Sequence, residues 1–178
     1  MPRVVITGGP GAGKTTLLAE LAARGYKTVS ESARAIIAER VAHGESPRPD
    51  PLTFARDILH RDIEKYRRHS HEPSWVFFDR GVVEAIAMVH EIEPLPPDEL
   101  GATLSVYRFH PLVFVLPPWE AIYRTDAERD QTFADAIDVH DRVVRWYRSC
   151  DYVLHEVPRL PAAQRAEHLV EALANPRG

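Results

Sequence analysis

The chain has a single cysteine and a single asparagine, and each scarcity removes a class of protein from consideration. Cys150 alone cannot form an internal disulfide, so a disulfide scaffold is excluded and a reducing compartment is favoured. Because Asn175 is the only asparagine, the Asn-Lys-x-Asp motif with which regulatory GTPases read their base is absent. The sequence therefore argues against a regulatory GTPase.

Long apolar runs and an excess of positive charge are also missing. No purely apolar stretch approaches the roughly 20 residues that a membrane-spanning helix needs, and the N-terminal segment has no charged leader followed by a long apolar core. The formal net charge of −4 gives no overall basic footprint for nucleic acid. The nine histidines show no metal-ligand spacing. We therefore expect a cytoplasmic protein that does not have nucleic acid as its partner.

The length and the apolar content of the chain suffice for one hydrophobic core. Its 178 residues are 44% hydrophobic and 27% charged, which is ordinary for a globular protein. The prolines cluster between predicted elements, where their missing N–H and fixed backbone angle do least harm. We predict a single domain over residues 1–178 and leave the oligomeric state open.

Short apolar runs alternate along the chain with longer segments of helical periodicity. The predicted strands show no polar alternation, which is typical of a parallel sheet covered by helices on both faces. Ser30 is predicted to cap the helix that follows the second strand. The fold class is therefore predicted as three-layer α/β/α. The predicted strands cover 3–7, 27–30, 75–78, 112–116 and 152–156, and the longer predicted helices cover 14–24, 52–69 and 130–150.

One motif carries the strongest functional signal. It fits the pattern G-x-x-x-x-G-K-[ST] at every fixed position, and it lies between the first predicted strand and an amphipathic helix. Its glycines allow the backbone to turn successive N–H groups towards an anion, and the helix that follows adds the positive end of its dipole. The motif predicts ATP and Mg²⁺ as cofactors, although GTP is not excluded. Its residues are Gly8, Gly9, Pro10, Gly11, Ala12, Gly13, Lys14 and Thr15.

Three side chains of this motif region have predicted roles. Lys14 would bring a positive charge to the β- and γ-phosphates, and the Thr15 hydroxyl would ligate Mg²⁺. Thr16 would contact the α-phosphate. These roles follow from the spacing of the motif.

A second constellation, Asp79-Arg80-Gly81, follows the third predicted strand. A carboxylate at the carboxyl end of a buried parallel strand lies beside the phosphate site. Asp79 is therefore predicted to orient Mg²⁺ or to take the proton of an acceptor hydroxyl. Arg80 is predicted to bind the acceptor or the transferred phosphate. The alternative interpretation is a capping aspartate beside a surface arginine.

Further charged residues are predicted around the same crevice. Arg124 and Arg129 lie between a short and a long predicted helix, where they could close over the phosphates and stabilise developing charge. A solvated, ion-paired helix end is the alternative for these arginines. The predicted substrate-binding residues are Glu31, Arg34, Arg80 and Glu84, although Glu31 and Arg34 also suit a surface ion pair. Arg159, after the last predicted strand, is predicted to line the adenine pocket.

Three segments resemble the NadR/Ttd14-type AAA domain family, a bacterial group of small P-loop ATPases and kinases. They are GGPGAGKTTLLAELAARGYKTVSESAR, FFDRG and LPPWEAIYRTDAERDQTFADAIDVHDRVVRWYRSCDYVLHEVP. The group is similar to nicotinamide riboside kinase domains and, more distantly, to thymidylate and deoxynucleoside kinases. The resemblance implies a sheet in the order 2-3-1-4-5, an arginine-bearing lid at about 119–133, and Asp79 as the acidic catalytic or Mg²⁺-organising residue.

Two departures from the family pattern lie on the acceptor side. Val82-Val83-Glu84 stands where the family often has Leu-Pro-Asp, and Ser30 stands where it usually has proline. The acceptor therefore stays open. The sequence predicts ATP-dependent phosphorylation of a hydroxyl on a small metabolite, such as a nucleoside or nucleotide. The alternatives are a nucleotide-dependent switch or ATPase acting on a protein or lipid partner and, less favoured by the acidic balance, a polynucleotide kinase.

Overall fold

The computed structural model describes residues 2–47, 49–123 and 132–175. Within them, strands and helices alternate in the predicted order. The strands are β1 (Arg3–Gly8), β2 (Lys27–Val29), β3 (Val76–Asp79), β4 (Leu112–Leu116) and β5 (Val153–Glu156). The α-helices are α1 (Lys14–Ala23), α2 (Ser32–Ala42), α3 (Pro51–Arg68), α4 (Val82–Ile92), α5 (Pro97–Val106), α6 (Phe133–Ser149) and α7 (Ala162–Ala174), and a 3₁₀ turn covers Glu120–Ile122.

The five strands form one parallel sheet in the order β2-β3-β1-β4-β5. This confirms the predicted α/β fold and the strand order that the family resemblance implied. The register pairs Ile6 with Asp79 and Gly8 with Leu116. Because parallel strands end at the same edge, the loop after β1 and the carboxylate that ends β3 are brought side by side.

Helices cover both faces of the sheet. Alternate residues of its central strands point to opposite faces, so both sets of side chains are buried. Val5 and Phe78 pack with side chains of α3, α4 and α6. Ile6 and Phe77, their neighbours in sequence, pack with side chains of α1 and α7. This double burial explains why the strands read as continuous apolar runs. In the described part of the chain, no helix combines the length and apolarity that crossing a membrane requires.

Capping residues define where several helices begin. The Asp50 side chain accepts hydrogen bonds from the backbone N–H of Leu52 at 3.1 Å and of Thr53 at 3.2 Å, which fixes the start of α3. The prediction that Ser30 caps α2 is wrong. The capping position belongs to Glu31, which makes no side-chain capping bond, because its carboxylate is engaged by an arginine of the site described next.

Candidate active site

The phosphate loop joins β1 to α1 and opens into a cavity of about 660 Å³. Gly11 and Gly13 have φ angles of 75° and 83°, the left-handed conformation that glycine adopts without strain. The last residue of the loop in this conformation directly precedes Lys14, the first residue of α1. Backbone N–H groups and the positive end of the helix dipole therefore converge on one point, which is the arrangement that binds phosphate. Residues 10–16 line the cavity.

Lys14 is buried in the loop that it is predicted to serve. Its Nζ atom donates hydrogen bonds to the carbonyl oxygens of Gly8 at 3.2 Å and Gly9 at 3.0 Å. Burial lowers the pKa of Lys14 and the nearby Arg80 lowers it further, against an opposing effect of nearby carboxylates. The ammonium group is thus held at the loop by weak neutral acceptors, which a more strongly charged phosphate oxygen can replace.

Asp79 ends β3 at the floor of the same cavity. Asp79 is only 8% exposed, and its Oδ1 atom has no hydrogen-bond partner among the described residues. Burial raises the pKa of this carboxyl above its usual value, although Lys14 and Arg80 act in the opposite direction. A buried carboxylate oxygen without a partner costs stability unless a ligand satisfies it. Binding of a metal ion or a hydroxyl group at this carboxylate stays a prediction.

Arg80 follows Asp79 in a conformation that is unusual for a side-chain-bearing residue, with φ 68°. Its guanidinium donates to Glu31 Oε1 at 3.0 Å, to the Gly8 carbonyl at 3.2 Å and to Glu84. Burial lowers the pKa of Arg80, but the carboxylates of Glu84 and Glu31 raise it above its normal value. Arg80 is thus permanently charged and connects β3, α2 and the phosphate loop.

Glu31 is one of the two carboxylates that hold Arg80. Burial raises the pKa of Glu31, but Arg80, Lys14 and Arg34 together bring it below its usual value, so the group is ionised. Arg34, with which Glu31 was predicted to share a helix face, has its Nε atom 3.5 Å from Glu31 Oε2. The Arg34 side chain is 41% exposed. Glu31 therefore faces two arginines, one buried and one at the mouth of the cavity.

Glu84 is buried, with 6% of its surface exposed, and its carboxylate accepts hydrogen bonds from three side chains. Thr7 Oγ1 lies 2.6 Å and the Tyr147 hydroxyl 3.2 Å from Oε1, while Arg80 donates to Oε2. Burial and the Glu84 charge raise the pKa of Tyr147 well above its normal value, so its hydroxyl remains a donor. These internal partners hold the Glu84 carboxylate against Arg80. Glu84 also lines the cavity, and its contact with substrate stays a prediction.

Away from the phosphate loop, the cavity extends between α2, α3, α4 and α6. Its walls there are largely apolar, with Phe54, Ile58 and Met88 among the lining residues. At its outer edge the Trp146 Nε1–H donates to Glu91 at 2.7 Å, which links α6 to α4. An apolar compartment with a few polar groups, continuous with the phosphate loop, is suited to a small organic molecule.

Asp62 is a polar residue of this compartment that no sequence motif indicated. It lies on the same face of α3 as Phe54 and Ile58, at four-residue spacing, and all three line the cavity. The Ser32 hydroxyl donates to Asp62 and accepts a hydrogen bond of 2.8 Å from Lys65 Nζ. Burial raises the pKa of Asp62 to about 6, although Ser32 and Lys65 oppose this shift. The four-residue spacing from the apolar stripe was the only signal that could have pointed to it.

Replacing Asp62 by asparagine is expected to stabilise the protein above pH 6 by about 1–3 kcal/mol, since each pKa unit corresponds to about 1.4 kcal/mol. The folded-state pKa of about 6 lies above the ordinary aspartate pKa of 3.8. The folded protein therefore holds a proton that the unfolded chain has lost, and stability falls as pH rises between these values. Asparagine has no charge to bury, and its carbonyl can still accept from Ser32.

Denaturant unfolding of both proteins between pH 4 and pH 8 would measure this difference. The gain should shrink towards pH 4, where Asp62 is almost fully protonated in the folded protein and about half protonated in the unfolded chain. The matched control is Asp57→Asn, an exposed carboxylate on α3, for which no comparable pH dependence is expected. An Asp62→Asn variant no more stable than wild type at pH 8 would contradict the expectation.

The remaining predicted residues fall into two groups. Arg159 lies outside the cavity lining, and its guanidinium donates to the Pro118 carbonyl at 2.9 and 3.2 Å, next to the segment that precedes the predicted lid. Its contact with adenine stays a prediction. Arg124 and Arg129, with most of the predicted lid, lie outside the described residues.

Magnesium fits the residues that are present. The described residues contain no cluster of three histidine, cysteine or carboxylate side chains that could hold a metal alone. Mg²⁺ usually needs only one or two protein ligands, because phosphate oxygens and waters complete its octahedron. Thr15, exposed at the start of α1, and Asp79 both line the cavity and carry oxygen atoms suitable as ligands.

A parallel sheet in this order, with a glycine-rich phosphate loop between β1 and α1, defines a P-loop protein of the α/β class. The chain belongs to the AAA domain family, whose model matches residues 3–165. This confirms the family resemblance found in the sequence. No curated protein matches the sequence.

Solved structures with a similar fold include two kinases. Deoxyadenosine kinase from M. mycoides with dCMP and dCDP bound is 15% identical with a TM-score of 0.65, covering 97% of this chain and 99% of that one. Its dATP-bound structure is 14% identical with a TM-score of 0.58, covering 98% and 100%. Shikimate kinase from Acinetobacter baumannii with shikimate is 17% identical with a TM-score of 0.55, covering 99% and 95%. At these identities the likeness shows the fold.

Proposed function

We propose that the chain catalyses the ATP- and Mg²⁺-dependent transfer of a phosphoryl group to a hydroxyl of a small metabolite. The observation that carries this proposal is the buried carboxylate of Asp79: the residue lines the cavity that the phosphate loop opens into, and its Oδ1 atom has no hydrogen-bond partner among the described residues. A carboxylate so placed can accept a proton from a hydroxyl aligned with the γ-phosphate. The apolar compartment beyond it offers space for the rest of the acceptor.

The other residues of the site have complementary roles in this proposal. The phosphate loop and Lys14 bind the β- and γ-phosphates, and Thr15 with Asp79 would hold Mg²⁺, which when bound would neutralise the developing charge. Arg80 is fixed by Glu31 and Glu84 at the point where the phosphoryl group would pass to the acceptor. We assign Arg124 and Arg129 to charge stabilisation over the phosphates, on the sequence argument alone.

The acceptor that we favour is a nucleoside or nucleotide. Two of the structures with this fold are of a deoxyadenosine kinase, and a third is of a shikimate kinase with shikimate bound. Phe54, Ile58 and Met88 offer apolar surface for a flat ring, and Asp62 offers an acceptor for a ring N–H or a hydroxyl. A ring with hydrogen-bond donors and a free hydroxyl satisfies both features.

A screen for ADP release tests this function. Purified protein would be incubated with Mg²⁺ and ATP beside panels of nucleosides, nucleotides and hydroxy acids, with Lys14→Ala as the inactive control. We expect slow ATP hydrolysis alone and a marked increase with one class of acceptor, absent from the control. ATP hydrolysis at the same rate with every addition would favour the alternative, a nucleotide-dependent switch or ATPase.

A further inference from the structure

Arg165 is a buried arginine that none of the sequence motifs includes. It lies in the first turns of α7, is 5% exposed, and lines the same cavity as the phosphate loop. Its Nη1 atom donates to the Ala12 carbonyl at 3.3 Å. A Cβ atom built on Gly13 would lie 3.0 Å from Nη1 and 3.2 Å from Nη2, so the guanidinium rests directly against the loop.

The described residues leave the charge of Arg165 without a counter-ion. Arg80, the other arginine at the loop, has the carboxylates of Glu31 and Glu84. Across the described residues, Arg165 has no ion pair, and its Nε atom has no hydrogen-bond partner. The Trp119 ring, 5.7 Å from the guanidinium carbon, is within cation–π range but carries no negative charge. A buried charge without a counter-ion is costly, and an anionic ligand would remove that cost.

The contact with Ala12 also bears on the geometry of the loop. The Ala12 carbonyl and the Gly13 N–H belong to one planar trans peptide, so they point in opposite directions. Holding the carbonyl on the α7 side turns the Gly13 N–H to the other side of the loop. The Gly13 N–H is then available to an anion bound by the loop amides.

We propose that Arg165 is a polyphosphate-positioning residue, which anchors the Ala12–Gly13 peptide and supplies a positive charge that the bound phosphates neutralise. This inference rests on the proposed function, because it requires a triphosphate at the loop. It adds a third cation to the site beside Lys14 and Arg80. This cation comes from α7, and Arg165 lies 153 residues after Ala12 in the chain.

Arg165→Gln separates charge from shape, because glutamine keeps an N–H donor for the Ala12 carbonyl. Calorimetric binding of MgATP and of inorganic tripolyphosphate, which has no base or ribose, would be measured for this variant and for wild type. We expect both probes to bind roughly tenfold to a hundredfold more weakly, the usual range for losing one charged hydrogen-bonding group. The ligand-free melting temperature should stay the same or rise, since an unpaired buried charge is removed.

Two further variants complete the test. Arg165→Lys keeps the charge and should lose less affinity than Arg165→Gln, while Arg145→Gln removes an exposed arginine of α6 and should match wild type. Equal losses in the lysine and glutamine variants, or a loss for ATP without one for tripolyphosphate, would overturn the proposal.

The wild-type result separates this inference from the proposed function. Normal binding of both probes by Arg165→Gln, beside a wild type that binds them, would overturn the role of Arg165 alone. A wild type that binds neither MgATP nor tripolyphosphate would overturn both.

Discussion

The Asp79→Asn variant is expected to lose phosphoryl transfer by roughly a hundredfold to ten-thousandfold, the range for removing a general base, while binding ATP nearly as well as wild type. Asparagine keeps the size of the side chain but cannot take the acceptor proton. ATP binding depends mainly on the loop amides and on Lys14, which this substitution leaves in place. Steady-state kinetics with the acceptor found by the screen, together with nucleotide titration, would measure both quantities.

The pH dependence of the wild type gives a second measure of the same carboxylate. Burial raises the pKa of Asp79, and a base must be deprotonated to act. Activity should therefore rise with pH through a value above the ordinary aspartate range, and this acidic limb should be missing from the residual activity of Asp79→Asn. The exposed Asp57→Asn serves as the control and should retain both rate and profile. Turnover by Asp79→Asn equal to that of wild type would rule out this assignment.

Local signals in the sequence were sufficient for the α/β class and for the phosphate loop, whereas the strand order came from the family resemblance. The apolar run of β1, the glycines after it and the amphipathic α1 are contiguous, so one short segment predicts a strand, an anion-binding turn and a helix start. Asp79 could be predicted for a related reason, because a charged residue that follows a buried strand marks the edge of a parallel sheet. The structure places the loop and this carboxylate in one cavity.

The partners of the site residues could not be predicted in this way. Thr7 and Glu84 are 77 residues apart, and Glu84 and Tyr147 are 63 residues apart, so their contact exists only after the sheet has formed. In the sequence, Glu84 is an acidic residue in the first turn of a helix. This position does not determine whether its side chain faces substrate or protein. The left-handed backbone of Arg80 had no local signal either, since glycine, not arginine, usually marks that conformation.

The conformation of Arg80 and the burial of Glu84 are linked. A side-chain-bearing residue in a sparsely populated backbone region costs about 1–3 kcal/mol and persists only where its surroundings hold it. The carboxylates of Glu84 and Glu31 provide that hold for Arg80. The strained backbone of Arg80 therefore holds a permanent positive charge between the phosphate loop and the apolar compartment. The stability of this conformation depends on the network around Glu84.

Replacing Glu84 by alanine is accordingly expected to destabilise the protein by about 3–5 kcal/mol, the cost of removing one partner of a buried ion pair. The substitution leaves Arg80 with one carboxylate fewer and removes the acceptor of the Thr7 and Tyr147 hydroxyls. For a chain of this size, such a loss corresponds to a fall in Tm of roughly 10 °C. Thermal and denaturant unfolding at neutral pH would measure it.

Two comparisons show whether this cost arises from the buried network. Glu64→Ala removes a carboxylate on α3 whose side chain is 54% exposed, and its stability should change by no more than about 0.5 kcal/mol. Glu84→Gln keeps an oxygen that can accept from Thr7 and Tyr147 but loses the charge that holds Arg80, so its stability should lie between those of wild type and Glu84→Ala. A Glu84→Ala variant as stable as the exposed control would show that Arg80 is held in its strained conformation by other contacts.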